Sequence, residues 1–100
     1  MITLEALQQE TLKYSIGNDS RETLRVNWAG LLDAEEIALS SWSVDDARLT
    51  IHAASYNTDS SSVTVSGQIG KYRLTNKIIS SDDDVRERHI DLYVVDSFYD

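Results

Sequence analysis

The sequence predicts an all-β domain, a two-sheet antiparallel sandwich of about seven short strands. Three observations carry this. Apolar side chains recur at every second position through most of the chain, the period at which alternate residues of a strand share one face. Clusters of Ser, Asn, Asp, Thr and Gly interrupt those runs roughly every 10 residues, as turns do in sandwiches. No stretch alternates strand and helix in the way a parallel sheet requires. A small barrel shares this periodicity and stays open as the second architecture.

Taken in order, Thr3 to Leu12 has apolar residues at helical spacing and a hydroxyl at Thr3 to cap them, which predicts a short helix. Leu12, Tyr14 and Ile16 then alternate, as do Leu24, Val26 and Trp28, and the polar run Gly17 to Glu22 between them predicts a hairpin or a longer turn. Ala29 to Glu36 is a connection, acidic at Asp33, Glu35 and Glu36. A strand from Ile37 to Val44 is anchored by Trp42. The next begins at Leu49 with Ile51 and Ala53, and Ser55 to Ser62 is a polar turn. Val63 and Val65 form a short strand ending at Ser66 and Gly67.

The clearest pattern runs from Lys71 to Val95 as two strands around an acidic turn. Tyr72, Leu74 and Ile78 share one parity and Ile90, Leu92 and Val94 another, so each set faces the core. The opposite parities carry Arg73, Thr75 and Lys77, then Glu87, His89 and Asp91, which suits a solvated face with unlike charges across the pair. Core anchors are therefore Trp28, Trp42, Tyr72, Leu74, Ile90 and Leu92.

At 100 residues the chain forms one domain, with an amino-terminal strand or arm segment over 1–23, a core over 24–96 and a tail over 97–100. It has no cysteine, which leaves stability to packing and excludes a disulfide framework or thiolate metal site. Its 17 acidic and 9 basic residues give a net charge of -8, which argues against nucleic acid and against an anionic membrane surface. The start MITLEALQQE has neither a basic region nor a continuous apolar run, so no signal peptide is expected and the cytosol is the expected place of synthesis.

Chemistry-bearing residues are scattered. His52 and His89 lie on polar parities, and His89 with Asp91 is too small a set to hold a metal. Asp82, Asp83 and Asp84 lack the alternating spacing of a calcium loop and fit a solvated hairpin tip. Ser, His and Asp occur without a nucleophile elbow, and the Ser66 to Gly70 turn is too short for a phosphate loop. No catalytic residue, cofactor or metal is expected. Tyr14, Tyr56, Phe98 and Tyr99 are the aromatic candidates for an interface, being near chain ends or in a loop.

Order and spacing of Trp28, Leu32, Glu36, Ile37, Ser40, Trp42, Ser66, Gly67, Gly70, Tyr72, Asn76, Ile78, Glu87, Arg88 and Ile90 resemble the small Ig-like fiber-tail adaptor proteins of tailed bacteriophages. Asn27 stands where that family carries aspartate, and SSDDDV replaces its Ser/Gly-rich tip. The resemblance implies an Ig-like sandwich and a non-enzymatic virion structural protein that joins the tail to fibers or completes the head-tail connector. It implies other virion proteins as partners, a homo-oligomeric ring in the virion, and assembly in the host cytoplasm. Asn76 and Arg88 become candidate structural polar groups, Asn76 bonding a neighbouring backbone and Arg88 an acidic side chain. An Ig-like carbohydrate- or host-surface-binding module is the alternative from another class, and a small hydrolase acting through His89 a third.

Overall fold

The structure, a computed structural model, describes residues 2–7, 11–18, 20–32 and 34–96. Among them are eight strands: β1 (Ile2–Glu5), β2 (Thr11–Gly17), β3 (Glu22–Asn27), β4 (Ile37–Val44), β5 (Leu49–Tyr56), β6 (Ser60–Gly67), β7 (Gly70–Ser80) and β8 (Val85–Val95). One helical turn, α1 (Ala29–Leu32), follows β3 and buries Leu32. The strands form two four-stranded sheets in the orders β1-β3-β6-β5 and β2-β8-β7-β4. Their inner faces meet in one apolar core, as a sandwich requires.

The long β7–β8 hairpin pairs as its alternation predicts. Tyr72 lies opposite Leu92 and Leu74 opposite Ile90, while on the other face Arg73 opposes Asp91, Thr75 opposes His89 and Lys77 opposes Glu87. Tyr72, Leu74, Ile78, Ile90, Leu92 and Val94 are all buried, against Leu24, Val26, Val63 and Val65 from the facing sheet. Each such aliphatic side chain contributes about 1.5–3 kcal/mol on leaving water. Asp91 departs from the expected solvated face: it is buried, and its carboxylate takes the guanidinium of Arg73 at 3.0 Å.

The amino-terminal segment differs most from expectation. Ile2 to Glu5 is a strand lying parallel to β3, and the helix predicted over Thr3 to Leu12 does not form across its described residues. Ile2 and Leu4 pack against the core from one face of β1, whereas a helix would have offered Leu7, which is 61% exposed. Pairing with a neighbouring backbone outweighs weak local propensity here. β2 then joins the other sheet, parallel to the last strand, β8. The Gly17 to Glu22 stretch is consequently not a hairpin but the longer turn, crossing from one sheet to the other.

Four of the six strand pairs are antiparallel, and β1–β3 and β2–β8 are parallel, so both sheets are mixed. The polar run expected as a turn from Ser55 to Ser62 is mostly strand. The turn proper is Asn57 to Asp59, closed by the Asn57 side chain, whose Oδ1 accepts from the backbone of Asp59 and Ser60. The acidic tip of the β7–β8 hairpin is exposed and is tied back to the α1–β4 connection. Ser81 N donates to Glu36 O at 2.8 Å, and the Ser80 hydroxyl donates to the Glu35 carboxylate.

Candidate functional site: a buried polar joint between the sheets

Among the described residues a polar cluster lies within the core. Asn76, at the middle of β7, has no solvent exposure, and it sits at a core-facing position between Leu74 and Ile78. A buried amide costs several kcal/mol unless its donors and acceptor are met. Here all are. Its Oδ1 accepts the indole N–H of Trp28 at 2.9 Å. Its Nδ2 donates to Ser40 Oγ and to the Ser41 carbonyl, each at 3.0 Å, with Ser61 Oγ at 3.4 Å.

Ser61, on β6 of the opposite sheet, closes the set. Its hydroxyl lies 2.6 Å from Ser40 Oγ and accepts the indole N–H of Trp42 at 2.8 Å. Trp28 at the end of β3, Ser40 and Trp42 on β4, Asn76 on β7 and Ser61 on β6 are thereby one hydrogen-bonded joint across the sandwich. Trp28 is wholly buried. Trp42 is half-buried at the rim of β4, so it borders the core instead of filling it.

Arg88 lies opposite Asn76 in the β7–β8 ladder. Its partners are carbonyls, not the acidic side chain expected of it: Nε donates to Ala6 O and Nη1 to Glu87 O, both at 2.8 Å. Its guanidinium carbon sits 5.4 Å from the centre of the Trp28 ring, within cation–π range. Arg88 thus ties the turn after β1 to the joint.

The remaining candidates lie elsewhere. Tyr72 is buried and its hydroxyl donates to Gln68 O at 2.7 Å. Leu74, Ile90 and Leu92 are core. Tyr56, at the end of β5, is 45% exposed and donates to the carbonyl of Ala38 on β4. Tyr14 packs partly against the core, and Phe98 and Tyr99 lie outside the described residues. His52 meets Ser66 Oγ at 2.6 Å and His89 meets Thr75 Oγ1 at 2.9 Å, on different sheets. Sequence reasoning missed Ser61. A serine two residues before Val63 shares its parity and therefore its burial, and that parity was the available signal.

Two carboxylates are held by neighbouring cations. The hydrogen bond from Arg73 lowers the pKa of Asp91 below the ordinary carboxylate range; burial opposes this, and the charges of Arg73, Lys71 and Lys13 assist it. The side-chain bond from Arg48 likewise lowers that of Asp46. At the end of the sandwich remote from the hairpin tip, Asn18, Ser20, Arg21, Arg48, Thr50, Ser66, Gly67 and Gln68 border a wide polar depression. Arg48 is already paired there with Asp46 at 2.9 Å.

Fold and joint together define a small all-β structural domain, in which the polar core residues hold two sheets in register. The solution structure of amebosin has a similar fold, with a TM-score of 0.55 over 94% of this chain and 97% of that one at 13% identity. No curated protein sequence matches the chain. The family model described as podophage GP4 fiber-tail adaptor protein gp77 matches residues 18–93. The chain belongs to that fiber-tail adaptor family.

Proposed function

We propose that this protein is a non-enzymatic structural adaptor of the virion tail, assembled in the host cytoplasm, that joins fibers to the tail. The observation that carries the reading is the closed joint among Trp28, Ser40, Trp42, Ser61 and Asn76. Four of those five residues are among the positions by which the sequence resembles the adaptor family. Their hydrogen-bonding capacity is used internally, holding one sheet against the other, so the contacts that join tail to fiber belong to the outer surface and turns. His52 and His89, each bonded to a hydroxyl on a separate sheet, fit the same account.

A rigid body of this kind transmits force between two larger assemblies without changing shape. The extents of 44 × 23 × 19 Å give it opposite ends for two partners, and several copies set around the tail axis would form a ring. Tyr56 is the described aromatic that such a contact would engage, as large rings supply much of the energy at interfaces.

Electron microscopy of virions from a phage carrying a nonsense codon in this gene tests the reading. Tails lacking fibers, with fibers restored by the protein supplied in trans, are expected. Normal fibers on particles without the chain, or particles whose heads and tails fail to join, would overturn it.

A further inference from the structure

The two sides of the sandwich treat their edges differently. On one side the edge strands are β1, only four residues long and ending in Glu5, and β2, which carries Lys13. Short length and charge are the usual protections against another chain adding to a sheet. On the other side the edges are β4 and β5, each of eight residues, and neither contains an Asp, Glu, Lys or Arg in a chain where 26% of residues are charged. There is no proline.

β5 is the barer of the two. Among the described residues it pairs only with β6, so one side of its backbone has no strand partner there, and every residue from His52 to Tyr56 is exposed. β4 is partly covered, since the Tyr56 hydroxyl caps the Ala38 carbonyl. Beside the edge runs a groove of about 340 Å³ lined by Ser40, Trp42, Ala54, Ser55 and Tyr56. Small side chains at Ala53, Ala54 and Ser55 let another backbone come close.

Charge selects the occupant. The middle of β5 is neutral, so a strand laid along it must be neutral there too, because an unpaired charge would lose its hydration. Beyond the ends of β5 stand the exposed carboxylates of Asp45 and Asp59. A second copy of this chain would set those turns against each other in either strand direction, like charge on like charge. Basic residues at those places would instead be attracted.

We infer that β5 is the edge to which a tail or fiber protein adds an extended strand, uncharged over its middle and bearing Lys or Arg at both ends. This rests on the adaptor reading above. Main-chain hydrogen bonds to β5 supply the affinity, the groove beside Trp42 and Tyr56 receives alternate side chains, and the flanking carboxylates fix the register.

The test is made on virions carrying variant chains, counted for fibers by electron microscopy, with melting temperatures of the purified variants. A53K/S55K places two charges on the edge outside the core. It is expected to melt within about 4 °C of the parent, as surface changes do, and to lower fiber-bearing particles at least about tenfold. D59K should lower them as well, whereas S15K on the opposite edge should leave them unchanged. Full fiber loading by A53K/S55K or by D59K would overturn the inference while leaving the adaptor reading intact. A parent dimer in light scattering that A53K/S55K dissociates would also overturn it, assigning the edge to a second copy. Normal fibers on particles without the chain would remove the adaptor reading itself.

Discussion

The indole N–H of Trp28 donates to Oδ1 of Asn76 across 2.9 Å, and neither residue has any solvent exposure. They are 48 residues apart in the chain. The bond makes a polar side chain in the centre of an apolar strand face tolerable, and with Ser40, Trp42 and Ser61 it fixes how one sheet sits on the other.

Ser61 is the point where the two sheets share that joint. Removing its hydroxyl in S61A leaves the Trp42 indole without its acceptor and Ser40 Oγ with Asn76 Nδ2 as its remaining partner. Loss of about 1–3 kcal/mol is expected, since partners left behind in a buried site are not rehydrated. Urea unfolding followed by tryptophan fluorescence reads this as a lower midpoint at unchanged slope.

Asp91 predicts a pH dependence. Its folded pKa is depressed, chiefly by the hydrogen bond from Arg73. The stability it contributes is therefore complete above the ordinary carboxylate value of about 4 and is lost as pH falls through the lower folded value. D91N should cost about 1 kcal/mol at pH 7, because the guanidinium partner is itself half exposed. The gap between parent and variant should narrow in thermal melts as the pH is lowered from 7 to about 2. A gap of the same size at both pH values would contradict the assignment.

Two glycines should respond differently to alanine. A Cβ at Gly67 would lie 2.9 Å from the Arg48 carbonyl oxygen and 3.0 Å from Leu49 Cα, so backbone would have to move. G67A is expected to lose about 1–3 kcal/mol. At Gly30 the nearest atom, 3.0 Å away, is the end of the Leu7 side chain. Leu7 is mostly exposed and can turn aside, and α1 gains from alanine, so G30A should change stability by less than about 1 kcal/mol. Melting curves of the two variants side by side measure the contrast.

Much of this was legible in the residues. The parity of Tyr72, Leu74 and Ile78 against Ile90, Leu92 and Val94 fixed the β7–β8 register, because a slip of one residue would have turned both apolar rows to water. The bounds of β4 followed from the run Ile37 to Val44. β1 was not legible: four residues carry too little pattern, and what makes them a strand is the backbone of β3, 22 residues further on. The same holds for the contacts of Arg88. Its charge suggested an acidic partner, yet its position beside the turn after β1 places the Ala6 carbonyl within reach. Asn76 was singled out by the resemblance to the adaptor family, while its partner Ser61 was hidden in a run of serines.

The most direct measurement is a double-mutant cycle on W28F, N76A and the pair, by urea unfolding. If Trp28 and Asn76 form one joint, the second substitution costs less in the background of the first, with a coupling of about 1–3 kcal/mol. Costs that add to within about 0.3 kcal/mol would mean that the two side chains act independently, and would contradict the joint on which the account rests.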